Sequence, residues 1–248
     1  MSLSAYAALV AIGFISAVIN VIGGGGSFLT LPLLIFLGLP ASVANGTNRV
    51  AVLAQNISAV FGFHRHNVLP LKWAIAVSVP AMAGAALGVW AALNVPDIAF
   101  RRILSIVMLA VAFGTLVHRR VRGDRRSAPR DAWDPLTVAG FFFTGVYGGF
   151  LQAGVGFLVL AVTTLAGLDL LRGNAVKVFS VMLLTLLSLA VFAGAGQVNW
   201  SAGLALALGS FVGGLAGVKL AVYKGRRWLE RTVTITMVVF AILLWVSE

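Results

Sequence analysis

Long apolar runs dominate this chain and limit what it can fold into. They occupy residues 3–22, 28–39, 43–63, 73–93, 98–117, 136–151, 157–168, 173–195, 201–222 and 232–246. Most approach the ~20 residues that cross a bilayer's hydrocarbon core as a helix. They are continuous rather than alternating, which excludes a closed β-barrel. Of 248 residues, 60% are hydrophobic and only 10% charged, and the mean hydropathy is +1.02. A soluble domain carries roughly 25% charged residues. This chain has too few to clothe an ordinary cytosolic enzyme, and it is too apolar to be disordered. The expected fold is an all-α integral membrane protein, a polytopic bundle of about 8–10 membrane segments. The absence of cysteine removes disulfides, thiolate metal sites and a cysteine nucleophile. No basic stretch precedes Leu3 and the first run is long, so a cleaved signal peptide is not expected.

The runs are named a to e and a′ to e′ in order. Runs b (28–39) and b′ (157–168) are too short to cross comfortably and read as short or re-entrant half-helices. The chain also repeats itself. At an offset of 129 residues, Gly25, Phe28, Leu29 and Leu31 fall on Gly154, Phe157, Leu158 and Leu160. Gly38, Leu39, Asn45, Gly84 and Gly88 fall on Gly167, Leu168, Asn174, Gly213 and Gly217. One register held from b to d indicates duplication. The repeats are assigned to 1–118 and 136–248, joined by a basic linker at 119–135.

The charge of +11 could indicate a nucleic-acid partner, but its distribution argues for a membrane topology instead. Arg65 and Lys72 lie between c and d, and Arg119, Arg120, Arg122, Arg125, Arg126 and Arg130 between e and a′. Arg172 and Lys177 lie around the start of c′, and Lys219, Lys224, Arg226, Arg227 and Arg231 around the d′–e′ connection. Alternate connections are basic and therefore cytoplasmic. Corresponding loops of the two halves differ in charge, as they do when each half crosses an odd number of times. The halves are then inverted repeats and both termini are extracytoplasmic. Trp73, Trp90, Trp133, Trp200, Trp228 and Trp245 fall at or near segment ends, where indole prefers the headgroup level.

Two regions carry candidate chemistry. Between a and b lies Gly23-Gly24-Gly25-Gly26-Ser27, with Gln152, Gly154 and Gly156 at the matching place between a′ and b′. A glycine run breaks a helix, frees backbone N–H groups, and leaves the following helix N-terminus able to attract an anion. Broken helices at matching places in two halves point to a transporter site, and close helix packing is the alternative reading. The second region is the start of c and c′. Asn45, Asn48, Arg49, Gln55 and Asn56 share about one third of the helix circumference. In c′, Asn174 matches Asn45 and Lys177 matches Asn48, and Ser180, Thr185 and Ser188 extend the stripe. An intramembrane cation is costly and normally faces inward. Arg49 and Lys177 therefore read as the positive charges of an anion site, with snorkelling to the headgroups as the alternative. His64 and His66 follow c, and no apolar run has a carboxylate in its middle. There is no HExxH, GxSxG or P-loop pattern and no sign of a cofactor or metal site, so an enzyme is not expected.

These motifs together resemble a known family. Gly13-Phe14-Ile15-Ser16-Ala17, leading into Gly23-Gly24-Gly25-Gly26-Ser27-Phe28-Leu29-Thr30-Leu31-Pro32-Leu33-Leu34, and then Ala44-Asn45-Gly46-Thr47-Asn48, are similar to the first half of the sulfite exporter TauE/SafE family. Gly145-Val146-Tyr147-Gly148-Gly149-Phe150 with Gly154-Val155-Gly156-Phe157 is similar to its repeated motif. The resemblance spans essentially the whole chain. It implies a bacterial inner-membrane transporter of sulfite, of organosulfonates such as sulfoacetate, or of related sulfur oxyanions. Lys177 departs from the small or hydroxyl residue that members often carry there. The expected function is a secondary transporter exporting such an anion by alternating access. A passive anion channel is the alternative, and an intramembrane enzyme or scaffold a more distant one. The expected partners are a small anion and membrane lipid, with no nucleic acid. Homo-oligomerisation is left open.

Overall fold

The computed structural model describes residues 2–117 and 130–223. The arginines at 119, 120, 122, 125 and 126, the basic residues from Lys224 to Arg231, run e′, Trp228 and Trp245 lie outside the described residues. Those described form α-helices and no strand: α1 (Leu3–Ile22), α2 (Ser27–Phe36), α3 (Ala41–Arg65), α4 (Leu71–Leu93), α5 (Asp97–Val117), α6 (Pro135–Phe150), α7 (Val155–Leu165), α8 (Leu170–Gly194) and α9 (Trp200–Tyr223). Helices α1, α4, α8 and α9 are each long and apolar enough to cross a membrane. Their outer faces carry exposed Ile75, Val79 and Leu87 on α4 and Leu204, Leu208 and Val212 on α9. Such side chains have no place on a water-facing surface in this number and suit lipid.

Local signals set the helix ends. The Asp134 carboxylate takes the Thr137 N–H ahead of Pro135, and Asp169 takes the N–H groups of Leu171 and Arg172. Asp169 also lies 3.5 Å from the Arg172 Nε. Helix α3 follows Pro40, which has no side-chain acceptor to offer. The cap comes from elsewhere: Asp97, opening α5, accepts from Ala41 N at 2.9 Å and Ser42 N at 2.8 Å. The start of the most polar helix is thus tied to the start of α5.

The helix bounds keep the register seen in the sequence. Helix α3 covers 41–65 and α8 covers 170–194, an offset of 129 at both ends. The short α2 and α7 have 10 and 11 residues, and α4 and α9 have 23 and 24. The halves exchange partners. Helix α1 lies along α9, and α4 along α6. Gly209 and Gly213 sit against the α1 backbone at Val10 and Phe14, and Gly84 and Gly88 against the α6 backbone at Phe142 and Val146. Without a hydrophobic drive between helices in lipid, such close backbone contact supplies the dispersion energy. Residue numbers rise together in both pairs, so each pair is parallel.

Helix α3 is also parallel to α9, with Gly203 beside Thr47 and Val50, and Gly62 beside Val218. It is antiparallel to α8: Gly46 meets Phe192 and Gln197, whereas Ala59 and Phe63 cluster with Ala175 and Val178. Because α1 and α3 both run with α9, α2 must carry the chain back between them. Run b is therefore a returning half-helix.

Candidate functional site

The two helix breaks meet in the buried interior. Gly24 has φ +99° and packs on Gly156: a Cβ on Gly24 would lie 2.6 Å from the Gly156 carbonyl carbon. Only glycine fits that close crossing in that left-handed conformation. The other break is equally bent, with Gln152 at φ +65° and Gly154 at φ +75°. The Phe28 ring from the first turn of α2 covers Gly154. Neither Gly26 nor Gly154, the residues that open α2 and α7, offers a side-chain cap. Gly24, Gly25, Gly26, Ser27, Gln152, Gly154 and Gly156 are all buried. Two short helices thus bring their N-terminal, partly positive ends to one buried place.

Each break also leaves the C-terminal carbonyls of the helix before it, and each set is held by a cation from the other half. Arg49 of α3 is fully buried. Its Nη2 donates to the Gly149 carbonyl at 2.6 Å and its Nη1 to the Gly148 carbonyl at 3.2 Å and to the Gln152 side-chain oxygen. The guanidinium also lies 4.7 Å from the centre of the Phe192 ring, a cation–π contact. Asn45, one turn earlier, donates to the Phe150 carbonyl at 2.8 Å. On the other side, Lys177 of α8 donates to the carbonyls of Asn20 and Val21, both at 2.8 Å. These carbonyls end α6 and α1, where the helix dipole is negative. Neither cation reaches outward to the headgroups.

The remaining sequence candidates divide. Asn48 accepts from Thr30 Oγ1 on α2, and Gln152 donates to Thr185 Oγ1 on α8 at 2.6 Å. Asn174 is buried near the start of α8, and its side-chain oxygen has no hydrogen-bond partner among the described residues. Gln55 and Asn56 are buried further along α3, where the Gln55 backbone carbonyl lies beside Gly214 of α9. His64 and His66 are exposed at the end of α3. Sequence reasoning missed Thr30 and Phe192, and it placed Thr185 only in the extension of the c′ stripe. The 129-residue offset pairs Phe192 with Phe63, which marks it as repeated but not as a partner of Arg49.

Electrostatics give the site its sign. Among the described residues, the buried polar set holds Arg49 and Lys177 and no carboxylate. A helix C-terminus supplies only about half a negative charge. Arg49 and Lys177 each bring a full positive charge to such an end. Buried amide donors remain at Asn48 Nδ2 and Asn56 Nδ2, and a guanidinium donor at Arg49 Nε, none with a hydrogen-bond partner among the described residues. A buried donor left unpaired costs about 1–3 kcal/mol, so donors of this kind call for an acceptor.

Broken helices crossing in the buried interior of a polytopic apolar bundle define the class: this is a multi-pass membrane transporter. The chain belongs to the sulfite exporter TauE/SafE family, whose model matches residues 9–244. It is 30% identical over 232 residues to a "Probable membrane transporter protein" of Haemophilus influenzae, covering 92% of this chain and 90% of that one. It is 28% identical over 235 residues to the "Probable membrane transporter protein YfcA" of Escherichia coli, covering 93% and 86%. No solved structure matches it. Family and relatives alike are described as transporters, not enzymes.

Proposed function

We propose that this transporter exports small sulfur oxyanions, either sulfite or organosulfonates such as sulfoacetate, across the cytoplasmic membrane as a secondary, alternating-access carrier. The observation that carries this reading is the pair of buried cations at the two breaks, Arg49 and Lys177, in a buried polar set that holds no carboxylate among the described residues. A sulfonate or sulfite presents three acceptor oxygens to the Asn and Arg donors and helix N-termini that line the breaks. The site residues are Gly24, Gly25, Gly26, Ser27, Asn45, Asn48, Arg49, Gln55 and Asn56 from one half. Gln152, Gly154, Gly156, Asn174 and Lys177 come from the other. The halves, 1–118 and 136–248, act as inverted repeats about the cytoplasmic linker 119–135. The antiparallel course of α3 and α8, which correspond in the 129-residue register, supports the inversion.

The test is flux into proteoliposomes across a panel of sulfite, sulfoacetate, methanesulfonate, acetate and chloride. Saturable uptake of one of the sulfur oxyanions is expected, at least about 10-fold above acetate, a difference of about 1.4 kcal/mol. Equal passage of every anion without saturation would make the protein a channel, and no sulfur-oxyanion flux at all would remove the substrate. Topology has its own measurement. A reporter fused after Glu248 and active only in the cytoplasm is expected to be silent, and a strong signal would place that terminus inside and end the inverted-repeat reading.

A further inference from the structure

Arg49 and Lys177 form a matched pair across the two halves. Arg49, from the first half, grips the last carbonyls of α6 in the second. Lys177, from the second half, grips the last carbonyls of α1 in the first. Helices α1 and α6 correspond in the repeat, and each ends at the break that a short helix leaves. The two grips are not copies made by duplication, since Lys177 corresponds to Asn48 and Arg49 to Val178. Two different residue types reach the same solution at two equivalent places. We propose that Arg49 and Lys177 are reciprocal clamps, each locking the broken first helix of the opposite half, and that releasing them lets the halves move.

The chemistry fits a latch. A helix end without its following turn leaves several carbonyls unsatisfied, and in an apolar core they have no water to turn to. One cation satisfies two of them and neutralises the negative dipole end. An anion at the Gly24–Gly156 crossing attracts those same cations, because a full negative charge outcompetes a half charge. The Lys177 side chain already runs beside Gly156, so its ammonium group is next to that place. Gln152 is the positioning residue on the other side: its oxygen holds Arg49 while its amide nitrogen is fixed by Thr185. What releases the clamps rests on the anion reading above; their existence as clamps does not.

Backbone hydrogen exchange on the purified full-length protein, followed by mass spectrometry with no added sulfur oxyanion, tests the pair. Arg49→Met is expected to speed exchange in 148–153 by about 10-fold or more, the effect of losing a charge-assisted bond, and to leave 20–24 unchanged. Lys177→Met is expected to do the reverse. If Arg49→Met does not fold, Lys177→Met carries the test alone. Unchanged exchange at the gripped helix end, or equal loosening of both ends by either variant, overturns the proposal. Sodium sulfite and sodium sulfoacetate are then added to the wild type, with sodium chloride as control. Faster exchange at both helix ends with either sulfur anion supports release by substrate. Exchange that responds to the variants but to no anion upholds the clamps and counts against the anion reading instead.

Discussion

Gly24→Ala inserts into the membrane and loses transport by about 30-fold or more. Two costs combine. A non-glycine residue in the left-handed region costs roughly 1–2 kcal/mol, and Gly24 sits at φ +99°. Its new Cβ would also lie 2.6 to 2.8 Å from the Gly156 carbonyl carbon, the Gly156 Cα and the Phe157 nitrogen, all backbone atoms that cannot rotate away. Forcing an extra carbon into such a contact typically costs about 1–3 kcal/mol. Together, about 2 kcal/mol or more stands against the competent crossing, a factor of roughly 30. Gly38→Ala is the control. That residue is at φ +92°, but a Cβ there meets nothing within 4 Å among the described residues. It carries the strain without the collision, so its flux should stay within a few-fold of wild type. The measurement is initial anion flux at matched protein density in proteoliposomes. Wild-type flux from Gly24→Ala would mean that the crossing of the breaks is packing alone.

Arg49→Gln weakens anion binding by about 10- to 150-fold and lowers thermal stability. A charge-assisted contact is worth about 1.5–3 kcal/mol. In the resting structure the guanidinium serves Gly148, Gly149 and Gln152 and stacks on Phe192, so glutamine also strands two carbonyls. Arg49→Lys keeps the charge but lacks the fork that spans both carbonyls, and should fall between the two. Affinity of the purified variants in nanodiscs, read by calorimetry with sulfite or sulfoacetate, decides the matter. Lower stability with wild-type affinity would confine Arg49 to holding α6.

Much of the architecture is legible in the sequence because it is local. Apolar runs mark the helices, the glycine run at 23–26 marks a break, and the 10-residue α2 follows from a run too short to cross. The 129-residue register, read from a few glycines and Asn45, returns as identical bounds for α3 and α8. The face of α3 bearing Asn45 and Arg49 is likewise a matter of 100° per residue, and both side chains do reach the same helix end. What they reach is not local. The acceptors of Arg49 lie about 100 residues away and those of Lys177 more than 150. Apart from the Gln152 side-chain oxygen they are backbone carbonyls, which no residue type advertises. Thr30 was hidden for a different reason: one hydroxyl inside an apolar helix usually satisfies itself on its own backbone, and here it also bonds Asn48.

The exchange of first helices between halves has a consequence for how the chain is made. Helix α1 enters the bilayer early, yet its long partner is α9, and Gly13 waits for Leu206. At roughly 5–20 residues per second, that is about 10–40 s of synthesis. Helix α4 waits far less, since α6 follows directly after the linker. The α4–α6 pair is therefore complete before α1 finds its place against α9. For most of that interval the carbonyls at the end of α1 have no Lys177, because α8 has not yet been translated. The newborn first helix must be sheltered by the insertion machinery or by the membrane surface until the second half arrives.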